Sequence, residues 1–84
     1  MRYVLLDMSG AQRASVSSEE EMLEILDAMQ VDGYDLTQLF ISRFDDRGSK
    51  LGANIAHNWR PWRQLQDRRR LAAQARDARR PRRP

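Results

Sequence analysis

Residues 18–33 read SEEEMLEILDAMQVDG, and this stretch predicts the helix around which the rest of the fold is arranged. Ser18 and Glu21 form a capping box, in which each side chain can satisfy a free N–H at the start of a helix. Three glutamates stand in the first turn, where the helix dipole favours negative charge. Gly33 tolerates the left-handed conformation that ends many helices, so we expect a helix over residues 19 to about 30. Its apolar residues recur at helical spacing and form one stripe: Met22, Ile25, Leu26 and Met29.

The residues before this helix predict a pair of strands. Residues 12–16 have the weak pattern of a short strand that returns after a turn signal at Ser9-Gly10. The first strand is indicated over residues 3–8 by alternation, which puts three apolar side chains on one face: Val4, Leu6 and Met8.

The residues after the helix fit two descriptions. Asp35 and Gln38 would cap a second helix, and four apolar residues have the spacing for it: Leu36, Leu39, Phe40 and Phe44. Residues 39–41 are instead aromatic and β-branched, and residues 45–49 look like a hairpin loop before an alternating stretch over 51–57. We favour two antiparallel strands here. The fold class is then α+β, a small ββαββ-like antiparallel sheet with one helix across a face.

The charge of the chain changes sign near residue 58. Residues 1–58, the body, hold 5 Lys/Arg against 10 Asp/Glu, whereas residues 59–84, the arm, hold 10 Arg against 2 Asp. An acidic body joined to a basic arm indicates a polyanionic partner for the arm. A body of this size without cysteine is marginally stable alone, so packing, self-association or a partner is expected to add stability.

The arm predicts a helix followed by a mobile tail. Asn58 is a suitable N-cap, and Pro61 in the first turn costs no intrahelical hydrogen bond. Good helix formers without Gly or Pro run from Trp62 to Arg79, and residues 81–84 should be an extended, mobile end. Because little apolar surface follows the first two turns, we expect an isolated helix of this kind to fray after about Leu71.

The arm also carries the candidate binding residues. Arginines on all sides of a helix suit a groove between two phosphate backbones, and guanidinium groups bridge phosphate oxygens or stack on bases. Two indoles alternate with arginines at its start, where they would stack on unpaired bases or, alternatively, pin the helix to the sheet. The predicted nucleic-acid-binding residues are Trp59, Arg60, Trp62, Arg63, Arg68, Arg69, Arg70, Arg76, Arg79 and Arg80.

Two functions remain open from the sequence. The first is a small protein that binds DNA or RNA, because arginine-rich segments can order on RNA and neutralise phosphates. The alternative is a protein-interaction module, either an adaptor, an inhibitor or an assembly subunit, whose arm binds an acidic protein surface. In that case residues 3–8 or 51–57 could form an open sheet edge for a homodimer or partner. Acidic residues at 19–21, 24 and 45–46 could also attract the arm within one molecule.

This sequence contains few of the residues on which most enzymes and membrane proteins depend. His57 is the one histidine, there is no cysteine, and the glycines make no phosphate-binding pattern, so we expect neither catalysis nor a cofactor nor a metal. No apolar run approaches the roughly 18 residues of a membrane span, and the N-terminal apolar run is too short for a signal peptide. We therefore expect a cytoplasmic protein without membrane contact.

Overall fold

The computed structural model describes residues 1–79 as a four-stranded antiparallel sheet with two helices. The strands are β1 (Arg2–Asp7), β2 (Gln12–Val16), β3 (Leu39–Phe44) and β4 (Lys50–Ile55), and the helices are α1 (Glu19–Val31) and α2 (Arg60–Arg79). Short 3-10 turns at Leu36–Gln38 and Ala56–Asn58 precede β3 and α2. The α+β fold and its C-terminal helix are confirmed, and the predicted tail at residues 81–84 lies outside the described residues.

Helix α1 begins and ends as its sequence predicts. The Ser18 hydroxyl accepts a hydrogen bond from the Glu21 amide at 3.2 Å, which satisfies one of the free donors of the first turn. At the other end Gly33 has φ +93°, and the amide of Tyr34 donates to the Met29 carbonyl at 3.0 Å. This left-handed glycine and wrapping hydrogen bond form a Schellman motif.

The strand order in the sheet is β2-β1-β3-β4, so β1 is an interior strand. Residues of β1 pair with β2 on one side and with β3 on the other. The open edge expected at residues 3–8 is therefore absent, because that strand already has neighbours on both sides. The edge expected at 51–57 is present as β4, although the strand ends at Ile55 and a 3-10 turn follows.

The two faces of the sheet differ in what covers them. Tyr3 and Leu5 of β1 and Ile41 of β3 point toward the helices and are buried against Met22 and Leu26 of α1. Alternation then puts the other apolar residues on the opposite, outer face, which neither helix covers. Val4 and Leu6 share that face as predicted, whereas Met8 lies past the end of β1 and is exposed.

Residues 35–44 do not form the alternative helix beyond a single 3-10 turn. The Asp35 carboxylate accepts hydrogen bonds from the Thr37 amide and hydroxyl at 2.9 and 2.6 Å and caps a single 3-10 turn. Strand β3 follows at once, and it buries Leu39 and Ile41. The hairpin interpretation is therefore confirmed. Aromatic and β-branched side chains favour this structure because they pack well on the half-buried surface of a sheet.

Helix α2 starts later than predicted and extends to the end of its predicted run of helix formers. Asn58 belongs to the preceding 3-10 turn, and the carbonyl that begins the helix is that of Trp59, which accepts from the Arg63 amide at 3.0 Å. The helix continues to Arg79, and the fraying expected after about Leu71 concerns an isolated helix. Its residues are strong helix formers, and an ion pair to α1, described below, holds its third turn.

Within residues 1–79, no helix combines the length and the apolar character that crossing a membrane requires.

Candidate nucleic-acid interface

The two tryptophans at the start of the arm lie in the core. Trp59 and Trp62 have only 4% and 1% of their surface exposed, and Trp59 packs on Tyr3 with ring centroids 5.7 Å apart. An indole this buried cannot stack on a base unless the core opens. Their observed role is the alternative raised above: they pin the first turn of α2 to the sheet.

Beyond its second turn, α2 lies in solvent. Leu65 and Gln66 are half-buried, and every residue from Asp67 to Asp77 is exposed. At about 1.5 Å per residue, the stretch from Asp67 to Arg79 spans roughly 20 Å. The described residues thus place a basic helix beside the body with most of its length accessible.

Four of the predicted arginines on this helix are exposed and form no ion pair with any residue among 1–79: Arg60, Arg63, Arg68 and Arg76. At 100° per residue, Arg63 and Arg68 lie roughly 100–120° away from the buried Trp62, whereas Arg60 lies beside the body at the base of the helix. These guanidinium groups are free to contact phosphate. Arg79 is the last residue of α2, and Arg80 lies outside the described residues.

Arg69 binds the body while its side chain stays about half exposed. Its two terminal nitrogens donate to the two carboxylate oxygens of Asp27 on α1, both at 2.7 Å. Arg69 lies within about 20° of Trp62 around the helix, two turns further on, so it faces α1 as the indole does. The hydrogen bonds from Arg69 hold the pKa of Asp27 below its usual value and raise the pKa of Arg69. This bidentate pair is a second point at which α2 is fixed to the body.

Arg70 is partly neutralised within its own helix. Its guanidinium donates to Asp67 at 3.0 Å, with both side chains more than half exposed. Such an exposed pair one turn apart contributes little to stability, so phosphate can compete for the guanidinium.

The acidic residues predicted to attract the arm make no ion pair with it among residues 1–79. Asp46 pairs with the N-terminal amine at 2.7 Å, and Ser18 contacts Glu21 at the start of α1. The carboxylate that does bind the arm is Asp27. It was missed because the sequence shows which residues are acidic but not which of them the packing of α1 against α2 brings into reach.

A cleft of about 320 Å³ lies at the base of α2, and sequence reasoning missed it. Arg43 of β3 and Arg60 of α2 line it, together with Asn54, Asn58 and Glu19. Arg43 stands opposite Gly52 on β4, where an added Cβ would come within 3.0 Å of the Arg43 guanidinium. A glycine inside a strand is the one sequence signal for such a close approach. The cleft adds a fifth arginine next to those of α2.

Comparison of the chain with protein-family models, with curated proteins and with solved structures found no match.

Proposed function

We propose that this protein binds nucleic acid through phosphate contacts made by the arginines of α2. One observation carries the proposal: α2 is held to the body at its base, while Arg63, Arg68 and Arg76 extend from it without an ion pair to any described residue. A helix fixed in this way presents its guanidinium groups with less loss of conformational freedom than a mobile tail would.

The physical basis is the charge of the nucleic-acid backbone. An α-helix fits the major groove of B-DNA, which is about 12 Å wide, with phosphates on both sides. Arginines distributed around the helix can then reach either backbone, and each contact releases counterions. Phosphate contacts position a protein without reading sequence, so the proposal includes no base specificity. Both DNA and RNA present this chemistry.

The proposed role is non-enzymatic and cytoplasmic. In this scheme the body positions α2, and the arginines supply the binding energy. No cofactor or metal takes part.

The test is binding of the full chain to labelled duplex DNA, duplex RNA and single-stranded RNA over a salt series. We expect the logarithm of affinity for duplex DNA to fall against the logarithm of salt concentration with a slope of roughly −4 to −7. The triple variant Arg63→Gln, Arg68→Gln, Arg76→Gln should flatten that slope by about 3 units. Whichever probe binds most tightly identifies the class of nucleic acid.

A matched control removes the same charge from the body. The variant Arg2→Gln, Arg47→Gln, Lys50→Gln changes three exposed cations outside α2 and should leave the slope unchanged. Equal losses in the two triple variants would show that net charge, not α2, governs binding. No binding near physiological salt would refute the proposal and favour the alternative, in which α2 binds an acidic protein surface.

A further inference from the structure

The outer face of the sheet, the side away from both helices, carries a cluster of apolar side chains. Strand pairing places Val4 beside Ser42, Leu6 beside Phe40, and Phe40 beside Ile55. Leu6, Phe40, Phe44 and Ile55 are half-buried and Val4 and Ser42 are buried, although neither α1 nor α2 packs on this side. Antiparallel sheets with one solvated face normally carry polar side chains there. On this face the apolar side chains cluster around Phe40, and Ser15, Ser42 and Arg2 lie beside them.

The outer face is not flat, because a groove lies at one end of it. Its floor is Val4 and Phe44, its walls include Met1, Arg2 and Asp46, and its volume is about 530 Å³. The ion pair between the N-terminal amine and Asp46 lies across this end at 2.7 Å. The surroundings of the apolar floor therefore contain charges of both signs.

We infer that a second copy of this chain packs on the outer face, so that two sheets meet face to face in a symmetric dimer. Sheets that pack in this way lie about 10 Å apart, and their side chains interdigitate. The two outer faces would then form a common apolar layer with α1 and α2 of each copy outside it.

The area of the face limits the size of the interface. Four strands about 4.8 Å apart, with about five residues each at roughly 3.3 Å, cover on the order of 300 Å². Because side chains project from that plane, the pair would bury on the order of 800–1,000 Å² in total, which is typical of weak and transient complexes. We expect a weak association, so the dimer forms with increasing concentration.

Two further features favour a second copy as the occupant. Cations at Arg2 and Lys50 and anions at Asp45 and Asp46 all flank the Phe44 end, so a two-fold arrangement does not oppose charges of one sign alone. The chain also contains no disulfide, and a domain this small gains stability from self-association.

The arrangement has a consequence that rests on the proposed function. Helix α2 lies on the opposite side of the sheet from the outer face, so a dimer would carry two basic helices pointing away from the interface. One nucleic acid that engages both helices would be bound more tightly than by either alone.

The decisive measurement is sedimentation equilibrium of the full chain over a range of concentrations, at low salt and near 1 M salt. We expect dimer formation that high salt does not weaken, because screening affects ion pairs and not apolar burial.

Ala53 is exposed on β4 and Ser15 is exposed on β2, and both stand in the central row of the outer face. Ala53→Arg and, separately, Ser15→Arg should each raise the dissociation constant at least about tenfold by placing an unpaired charge in the interface.

The control is Ala28→Arg, the same added charge at an exposed position of α1 away from the sheet. It should dimerise like the unaltered protein.

A chain that stays monomeric up to the highest soluble concentration would overturn the inference, as would a dimer that salt dissociates or that neither face variant affects. Loss of oligonucleotide binding by the two face variants in a monomeric protein would also overturn it, since nucleic acid would then occupy the face. Failure of the nucleic-acid proposal leaves this result unaffected, because sedimentation requires no ligand.

Discussion

At the scale of single residues, Asp27 decides how the basic helix sits. It is one of ten acidic residues in the body, yet it makes the bidentate contact with Arg69 that joins α1 to α2. A phosphate that approached Arg69 would have to displace this carboxylate. Asp27 therefore stabilises the position of α2 and competes with the proposed ligand for the same guanidinium.

Asp27→Asn should raise the affinity of the chain for duplex DNA about two- to fivefold and steepen the salt slope by up to one unit. The reason is that Arg69 becomes free and one nearby negative charge is lost. The measurement is the same salt series, with Glu24→Gln as the control, because it removes an equal charge from the exposed side of α1. If Glu24→Gln has an equal effect, the ion pair itself does not limit binding.

Asp7 orders the turn between β1 and β2. Its carboxylate accepts hydrogen bonds from the Ser9 hydroxyl at 2.6 Å, from the Ser9 and Ala11 amides, and from Arg13. The Ser9 hydroxyl is the largest cause that lowers the pKa of Asp7, from its ordinary 3.8 to about 2. The carboxylate thus replaces backbone partners in a tight turn.

Because the folded state lowers the pKa of Asp7, the stabilisation from this turn is complete above pH 3.8 and is lost as pH falls through about 2. A carbon-13 NMR titration of the Asp7 carboxyl checks this, and Ser9→Ala should move its pKa upward. A pKa near 3.8 in the unaltered protein would show that the hydrogen bonds do not persist in solution.

At the scale of secondary-structure elements, α2 has two parts with different roles. The first two turns belong to the core through Trp59, Trp62 and Leu65, and the remainder is solvated. The change in net charge near residue 58 therefore does not coincide with the end of the packed domain. Residues after Gln66 form the exposed part of the helix.

Trp62→Ala should lower the free energy of unfolding by about 3–5 kcal/mol, because it empties the space of a fully buried side chain. Trp62→Phe should cost less, since most of the apolar volume is kept. Leu71→Ala is the control, because Leu71 is 60% exposed on the same helix and should change stability by less than about 0.5 kcal/mol. Urea unfolding followed by circular dichroism measures all three. A loss below about 1 kcal/mol for Trp62→Ala would contradict the burial described here.

At the scale of the whole molecule, the projecting part of α2 makes the protein elongated. The radius of gyration is 16.1 Å, with principal extents of 61 × 25 × 16 Å. A compact chain of this length would have a radius near 12 Å. The basic helix and the acidic body are thus held apart over most of the length of α2.

Small-angle X-ray scattering, extrapolated to zero concentration to exclude any dimer, should give a radius of gyration near 16 Å. The value should change little with added salt, because buried tryptophans and not only charges hold the base of α2. A radius near 12 Å at low salt that grows with salt would mean that the helix folds back on the acidic body.

The sequence by itself determined the local structure, the fold class and the separation of charge. Helix α1 and its two ends follow from caps and spacing, which depend only on neighbouring residues. The hairpin at Leu39–Phe44 and Lys50–Ile55 follows from residue type and a turn. The composition of residues 59–84 alone shows that the arm is basic. These features need no knowledge of which elements meet in space.

Only the tertiary structure decided the strand order, the burial of Trp59 and Trp62, and the pairing of Asp27 with Arg69. Each depends on contacts between residues far apart in the chain, and an alternating or helical pattern does not specify its partner. The apolar outer face has the same origin. Alternation showed that Val4 and Leu6 share a side of β1, but it was the packing of both helices against the opposite side that left this side without a helix.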